Sequence, residues 1–410
     1  MSTIAIIGAG ASGMMAAITA AEDAANRVLL FERQARAGRK LLSTGNGRCN
    51  LTNEGMTPEN YHSETPDFVR PALAAFPVEN TLDWFHALGL LTVTEPSGRV
   101  YPLSDSANSV LDVLRFAIEG KENISLLTGQ PVLGVTRSSG GFRVETEAET
   151  YDCENVIVAC GGMAGAKVGG VKDGYALLQS LGHSRTALHP ALVQLTTETD
   201  FPKALKGVRA DAHLTLAAKR TVLARTAGEV QFTEKGVSGP AVFDLSRAAS
   251  TGGEGLTLTL DFLRDYPIRD VFDRLCVRRK AAPQLTAADL LTGMLHNRLG
   301  RTVIRYVNQK ADTPLSELSD AALKEIARAC KGFQLPVRGT EGFDSAQVTA
   351  GGIRCAEFDA RTMERRLAPG LFACGEVLDV DGDCGGFNLQ WAWSSALLAV
   401  EGILQEVGTK

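Results

Sequence analysis

A glycine-rich segment near the start of the 410-residue chain has the residue types and spacing that bind a phosphorylated ligand. Gly8-Ala9-Gly10-Ala11-Ser12-Gly13 follows an apolar run at 3–7 and precedes a helical pattern at 14–25. In such a strand–turn–helix unit the glycines allow a tight turn, close approach of a pyrophosphate and close helix–strand packing. The helix N-terminus adds unpaired N–H groups. The dinucleotide-binding residues predicted here are Gly8, Gly10, Ala11, Ser12 and Gly13.

An acidic residue follows at the place where dinucleotide-binding units hold the adenosine ribose. Glu32 ends a second apolar run at 28–31 and lies 22 residues after Gly10. A carboxylate there accepts hydrogen bonds from ribose hydroxyls and disfavours a 2′-phosphate, which argues against NADP at this site. A glycine-rich turn of an unrelated α/β protein is the alternative, but strand, helix and acid all in register favour a dinucleotide.

The polar stretch after Glu32 favours FAD as that dinucleotide. It is dense in Gly, Asn, Ser and Thr, and so offers backbone N–H groups and small side chains to an elongated polar ligand. An exposed irregular loop is the alternative interpretation. The residues assigned to the cofactor in this stretch are Arg33, Arg39, Lys40, Asn46, Gly47, Cys49 and Asn50.

A second strand, glycine loop and helix pattern lies near the C-terminus. The apolar run 370–374 leads into an acidic loop, and a glycine pair precedes a helical run at 391–404. The N-terminus of that helix would direct its dipole at an anionic ring edge, such as that of a reduced flavin. A third apolar run, 156–160, also ends in glycines. The cofactor residues assigned here are Gly161, Gly162, Gly375, Glu376, Asp379, Gly385, Gly386, Phe387, Asn388 and Leu389, with Val132 from the segment between.

A metal ion held by Glu376, Asp379 and Asp381 is the alternative use of the acidic loop. No histidine accompanies the three carboxylates, so we predict no metal site. No second Gly-x-Gly-x-x-Gly with a ribose acid occurs, which excludes a built-in nicotinamide domain.

Composition excludes several classes of protein. Hydrophobic residues make up 44% and charged residues 22%, which is typical of a globular chain and not of a disordered one. No run approaches about 18 uninterrupted apolar residues, so we expect no membrane partner. The eight cysteines have no metal-binding spacing, and we find no export signal. We therefore expect reduced thiols and a cytoplasmic location.

Together these motifs resemble the flavoprotein family of BaiN-like, or HI0933-like, NAD(P)/FAD-dependent oxidoreductases. The resemblance runs in order from residue 8 to about 396, over GAGASG, ERQARAGRKLLSTGNGRCNLTN, GRVYPLSDSANSVLDVL, VIVACGG, GEVQFTEKGVSGPAVFDLS, QVTAGGI and GLFACGEVLDVDGDCGGFNLQWAWSSA. It implies non-covalent FAD in a Rossmann-like domain formed by both chain ends. Cys384 stands where the family usually has Thr or a similar residue.

We therefore predict an α/β protein whose Rossmann-like FAD-binding domain carries an insert. The discontinuous FAD domain spans 1–190 and 341–410. Turn signals between short apolar runs predict a β-rich insert subdomain at 191–265. Helical periodicity predicts a helical insert subdomain at 266–340, with one helix expected at 287–295. The sequence gives no basis for an oligomeric state.

The insert is basic although the chain as a whole carries a net charge of −5. Residues 191–340 contain 22 Lys and Arg against 16 Asp and Glu, a net of +6. Arg298, Arg301 and Arg305 share one face of a predicted helix, and 278–280 adds three more basic residues. The face either contacts only solvent or binds phosphate, in RNA or in a phosphorylated reductant.

Three residues are candidates for the chemistry. Cys384 and Cys49 lie in the predicted flavin loops, where a thiol can protonate a reduced double bond; small packed side chains are the alternative. His189 lies at the predicted domain junction, where it is either catalytic or a hydrogen-bonding residue of the junction. Tyr101 either lines the pocket or packs in the core.

The resemblance implies an FAD-dependent oxidoreductase that reduces an unsaturated substrate, with NAD(P)H as transient reductant. A flavin oxidase of a small amine and an RNA-acting reductase of the dihydrouridine type are alternatives, as is a flavin-holding RNA-binding or scaffold protein. The sequence leaves open whether the substrate is a small molecule or RNA.

Overall fold

The computed structural model describes residues 2–366 and 369–408, and the chain divides into two compact units. The first comprises Met1–His189 and Gln347–Lys410, and the second comprises Pro190–Ala346.

Numbered in chain order, the strands are β1 Thr3–Ile7, β2 Arg27–Glu32, β3 Thr52–Asn53, β4 Tyr61–His62, β5 Thr92–Thr94, β6 Arg99–Pro102, β7 Ile124–Thr128, β8 Val132–Ser138, β9 Gly141–Thr146, β10 Thr150–Cys153, β11 Asn155–Val158, β12 His189–Ala191, β13 Leu195–Thr197, β14 Arg209–Ala218, β15 Thr221–Phe232, β16 Gly236–Ser238, β17 Leu256–Asp261, β18 Phe333–Thr340, β19 Val348–Ala350, β20 Leu371–Ala373 and β21 Asp381–Gly382. The α-helices are α1 Ala11–Ala20, α2 Val69–Ala75, α3 Val78–Ala87, α4 Ala107–Glu119, α5 Asp173–Ser180, α6 Asp200–Ala204, α7 Pro240–Thr251, α8 Ile268–Ala281, α9 Asn297–Tyr306, α10 Asp320–Lys331 and α11 Phe387–Gly408.

A five-stranded parallel sheet in the order β20-β11-β1-β2-β7 forms the centre of the first unit. Ile6 of β1 pairs with Leu30 on one side and Ile157 on the other. Such strands are buried on both faces, which explains why they are continuous apolar runs in the sequence. The sheet confirms the predicted Rossmann-like α/β fold, and β20 places the C-terminal segment in the same sheet as β1.

A closed barrel in the order β13-β16-β15-β14-β17-β18 forms the second unit. Alternate residues of β14, among them Leu214 and Leu216, point into its core. Helices α8, α9 and α10 contribute buried side chains to the same core. The sequence predicts a separate helical subdomain at 266–340, but β18 lies within that range and closes the barrel, so barrel and helices form one unit.

The prediction of a helix at 287–295 is wrong. Only a short 3-10 turn, Ala287–Asp289, forms there. Thr286 and Asp289 cap this turn with reciprocal hydrogen bonds, and Gly293 has a positive φ of 83°, a conformation that does not continue a right-handed helix.

Helix α11 packs at the centre of the first unit and carries a buried polar side chain. Gln390 is fully buried and accepts a hydrogen bond from Thr52 Oγ1 at 2.5 Å. Its Nε2 donates to the carbonyl of Phe76 at 3.0 Å and to Thr81 Oγ1 at 2.8 Å. Gln390 therefore ties the C-terminal helix to β3 and to the segment that joins α2 and α3. No described helix is long and apolar enough to cross a membrane.

We expect Gln390→Leu to destabilise the first unit by ~1–3 kcal/mol, because it leaves the buried Thr52 hydroxyl without its acceptor. Thermal unfolding followed by circular dichroism measures the change. Gln179→Leu, at an exposed position of α5, is the matched control. Equal midpoints for the two variants would contradict the prediction.

Candidate dinucleotide site

The turn between β1 and α1 has the geometry that its glycines predict. Gly8 has a φ of 107°, and a Cβ added to Gly13 would lie 1.7 Å from the carbonyl oxygen of Gly8. Neither position accepts a side chain without a shift of the backbone. A Cβ on Gly10, by contrast, would meet nothing within 4 Å. The turn is thus packed on the protein side and open at the glycine that should face a pyrophosphate.

Glu32 is held against this turn by two backbone amides. Its carboxylate accepts hydrogen bonds from Ala9 N at 3.2 Å and Gln34 N at 2.8 Å. Burial raises the pKa of Glu32, and these two hydrogen bonds act in the opposite direction. The carboxylate is therefore fixed beside the glycine turn, and its remaining lone pairs are available to ribose hydroxyls.

The basic residues after Glu32 contact protein groups. Arg33 pairs with Asp173 at 2.8 Å, and Arg39 hydrogen-bonds to Gln34 and to the carbonyl of Lys167. Lys40 Nζ lies 2.6 Å from Glu376 Oε2 in a half-buried ion pair. That pair joins the N-terminal polar stretch to the C-terminal glycine loop, although 336 residues separate its partners in sequence.

The polar stretch itself turns through left-handed backbone conformations. Asn46 and Cys49 have φ angles of 57° and 61°, and Gly47 has 89°. The side-chain Oδ1 of Asn50 is buried and has no hydrogen-bond partner among the described residues. A Cβ on Gly386 would lie 2.9 Å from this atom and 2.4 Å from the carbonyl oxygen of Thr52. An unsatisfied buried acceptor beside a glycine is what a site for an elongated polar cofactor would leave.

The other glycines assigned to the cofactor lie at the same edge of the sheet. A Cβ on Gly162 would lie 2.7 Å from Glu376 Oε1, and one on Gly375 would lie 2.6 Å from Ser12 Oγ. Gly161 follows β11 with a φ of 70°. Gly375 therefore lies directly against the first turn of α1, so the two glycine loops are adjacent.

Helix α11 begins at Phe387, immediately after Gly385 and Gly386. The Asn388 side chain accepts from Gly382 N and donates to the carbonyl of Gly382, both at 2.8 Å. These bonds close the loop and leave the N-terminal amides of the helix as donors for a ligand. Leu389, the next predicted cofactor residue, is half-buried.

Val132, the predicted cofactor residue between the two glycine loops, is the first residue of β8. The backbone amide of Gln130, two residues earlier, donates to the carbonyl of Glu32 at 2.9 Å.

The carboxylates of the acidic loop, Glu376, Asp379 and Asp381, do not converge on one point. Glu376 accepts from Thr349 N at 2.8 Å as well as from Lys40. Asp379 accepts from Glu64 N at 2.9 Å and is almost fully buried, as is Asp381. Among the described residues, no three His, Cys, Asp or Glu side chains lie close enough together to hold a metal ion.

The three candidates for chemistry occupy different environments. Cys49 is fully buried, and burial raises the pKa of its thiol to about 12, which favours the packed interpretation. Cys384 is half-buried, with Sγ 3.9 Å from Arg99 Nη2. His189 is a half-buried residue at the end of the first unit's N-terminal segment. Sequence analysis missed Gln390 and Arg99, although both lie within the quoted motifs.

The basic face of the second unit is largely engaged with the protein. Arg298 donates to the carbonyls of Ala204 at 2.6 Å and Lys206 at 3.3 Å, at the C-terminal end of α6. Arg305 donates to the carbonyl of Asp200 at 3.2 Å, and its guanidinium lies over the ring of Phe201. These contacts stabilise α6 and the residues next to it. The arginine face of α9 therefore has a structural role that the sequence spacing does not predict.

Known proteins match the chain over nearly its full length. The profile described as "HI0933-like protein Rossmann domain" matches residues 2–402. A 3-dehydro-bile acid delta(4,6)-reductase of Clostridium scindens is 41% identical over 97% of this chain and 98% of its own length. A ribosomal RNA dihydrouridine synthase of Escherichia coli is 32% identical over 97% of each chain.

Among solved structures, a 3-ketosteroid delta1-dehydrogenase of Sterolibacterium denitrificans has a TM-score of 0.51 at 13% identity and covers 99% of this chain and 100% of its own. That likeness shows a common fold. The profile match and the identity to full-length relatives go further and show that this chain belongs to the HI0933-like protein family.

Proposed function

We propose that the chain is an FAD-dependent oxidoreductase that passes electrons from NAD(P)H through bound FAD to a carbon–carbon double bond. The observation that carries this proposal is the convergence of both glycine loops, through Gly375 and Ser12, at the carboxyl edge of one parallel sheet. Ligands of open α/β sheets bind outside this edge. When bound and reduced by NAD(P)H, the flavin would supply the hydride, and the protein would hold and surround the reacting groups.

Each part of the site suits one part of FAD. Glu32 would accept hydrogen bonds from the adenosine ribose, and the amides that open α1 would bind the pyrophosphate beside Gly10. The amides that open α11 would face the flavin ring edge on which negative charge collects during reduction. Asn50 Oδ1 would accept a hydrogen bond from the cofactor. The fit is non-covalent throughout.

The names of two relatives support reduction of a double bond. The Clostridium scindens protein is named as a reductase of 3-dehydro-bile acids, and the Escherichia coli protein as a dihydrouridine synthase. An unsaturated small molecule is our first candidate because identity to the former is higher. Uridine in RNA is the second candidate, favoured by the second relative and by the basic second unit.

Stepwise reduction and reoxidation under anaerobic conditions test the function. NADH and NADPH are each mixed with the yellow protein, and flavin absorbance is followed. The bleached protein is then mixed with a 3-oxo-Δ4 steroid, a uridine-containing ribosomal RNA fragment or oxygen. Return of the yellow colour with the steroid supports the first candidate, and return with RNA supports the second. Reoxidation by oxygen alone would favour an oxidase, and absence of bleaching would favour a flavin-holding protein without this activity.

We expect the purified protein to carry FAD that heat releases. Mass spectrometry of the supernatant identifies the ligand. FMN or NAD in place of FAD would contradict the assignment of both glycine loops.

We expect Glu32→Ala to weaken FAD retention by about 1.5–3 kcal/mol, because it removes a charged acceptor for the ribose hydroxyls. FAD content after dilution and gel filtration measures the loss. Glu32→Gln, which keeps one oxygen acceptor, should retain more FAD. Glu79→Ala, at an exposed position of α3, is the control. Equal FAD content in Glu32→Ala and Glu79→Ala would rule out this role.

We propose that the thiol of Cys384 donates the proton that completes reduction of the double bond. Water then reprotonates the resulting thiolate. Cys384→Ala should keep its FAD and its reduction by NADH, and should slow reoxidation by the unsaturated acceptor roughly 10²–10⁴-fold. Cys276→Ala, at a half-buried cysteine of the second unit, is the matched control. Reoxidation of Cys384→Ala at the control rate would show that Cys384 is only a packed side chain.

A further inference from the structure

Arg99 and Tyr101 lie on strand β6, from which Arg99 reaches the C-terminal glycine loop and Tyr101 packs beside Gly45 of the polar stretch. They are two residues apart, so their side chains leave the strand on the same face. Arg99 Nη2 lies 3.4 Å from the carbonyl oxygen of Cys384, in addition to its contact with the sulfur. Opposite Arg99 on β3, Asn53 donates to the carbonyl of Gly385 at 2.8 Å. The side chains of Arg99 and Asn53 thus belong to the wall of the proposed flavin site.

The charge of Arg99 has no counter-charge in the described part of the chain. Arg99 is half-buried as a residue, and no described carboxylate lies within ion-pair distance of its guanidinium. Its neighbour Arg48 differs, because it is paired with both Glu95 and Asp105. Removing a cation from water without a counter-ion costs free energy. A ligand oxygen that carries or gains negative charge would offset this cost.

Tyr101 adds a neutral donor beside this cation. Its ring is buried beneath the Arg48 guanidinium, which lies 3.9 Å from the ring centroid. Burial raises the pKa of Tyr101, while the guanidiniums of Arg99 and Arg48 act in the opposite direction. The phenol therefore stays protonated at neutral pH and remains a hydrogen-bond donor.

We propose that Arg99 and Tyr101 form an oxygen-binding subsite for a carbonyl group conjugated with the substrate's double bond. The substrate class is then an α,β-unsaturated carbonyl compound, an inference that rests on the proposed function. When a hydride adds to the far carbon of such a group, the electron pair of the double bond moves toward the carbonyl oxygen. A guanidinium and a phenol O–H stabilise that charge until the near carbon takes the proton assigned to Cys384.

Binding of an enolate-like probe to the oxidised FAD-loaded protein tests the subsite without turnover. The probe is 4-nitrophenolate, a planar ligand with an anionic oxygen, titrated where it is ionised and followed by its effect on flavin absorbance. 4-Nitroanisole is the uncharged counterpart. Arg99→Met should weaken nitrophenolate binding roughly 10- to 100-fold and nitroanisole binding by less than about twofold. Arg99→Lys should recover part of the loss, and Tyr101→Phe should cost roughly 2- to 10-fold.

Arg115→Met, at an exposed arginine of α4, is the control and should bind both probes as wild type does. Equal weakening of both probes in Arg99→Met, or no effect on nitrophenolate, would overturn the subsite. If Arg99→Met loses its FAD, then unchanged nitrophenolate affinity in Arg99→Lys and Tyr101→Phe overturns it instead. Failure of the proposed function is distinct from these outcomes, because it shows as wild-type protein without FAD or without bleaching by NADH.

Discussion

The hydrogen-bonded ladder from β1 through β11 to β20 is the constraint on which the candidate site depends. It places segments from the two ends of the chain in one parallel sheet, with their carboxyl ends at the same edge. The close approach of Gly375 to Ser12 and the ion pair between Lys40 and Glu376 then become possible. A side chain at Gly13 or Gly162 would disturb this arrangement, since each packs against backbone or against a carboxylate that is already paired.

Buried polar contacts extend this constraint to the loops that line the site. Trp393 Nε1 donates to the carbonyl of Leu51, and Trp391 Nε1 donates to the carbonyl of Gly375. With Gln390, they anchor the polar stretch after Glu32 and the acidic loop to the same helix, α11. A buried donor or acceptor that loses its partner costs more than the bond contributes, so these contacts specify one arrangement of the loops.

The second unit has a core of its own and a different use of charge. Its arginines at 298 and 305 donate to backbone carbonyls at the two ends of α6, Arg298 to Ala204 and Arg305 to Asp200. The Arg298 guanidinium thereby places positive charge where a helix C-terminus is negative. An excess of basic residues in this unit is thus partly a consequence of how its short helix is stabilised. In the first unit, Arg99 presents its charge to the glycine loop without a described counter-ion.

Local signals determined much of the first unit in advance. The spacing of Gly8, Gly10, Gly13 and Glu32 predicts a strand–turn–helix unit because each position has its own steric or hydrogen-bonding requirement. Continuous apolar runs predicted the parallel strands, since strands buried on both faces need no alternation. The start of the first helix differs from the prediction: α1 begins at Ala11 and not near residue 14, because its first turn includes the end of the glycine segment.

Only the tertiary structure decided the rest, because the deciding partners are far apart in the chain. The residues of β18 alternate between buried and exposed, as those of a strand do, but that β18 closes the barrel depends on its pairing with β13 and β17. The turn at Ala287–Asp289 replaces a predicted helix because its cap and Gly293 outweigh periodicity. The arginines of α9 share a helix face, as their spacing predicts. The backbone carbonyls that accept hydrogen bonds from Arg298 and Arg305, however, belong to α6. Arg99 and Cys384 meet for the same reason: a strand and a loop separated by more than half the chain pack together, and the sequence spacing does not predict that contact.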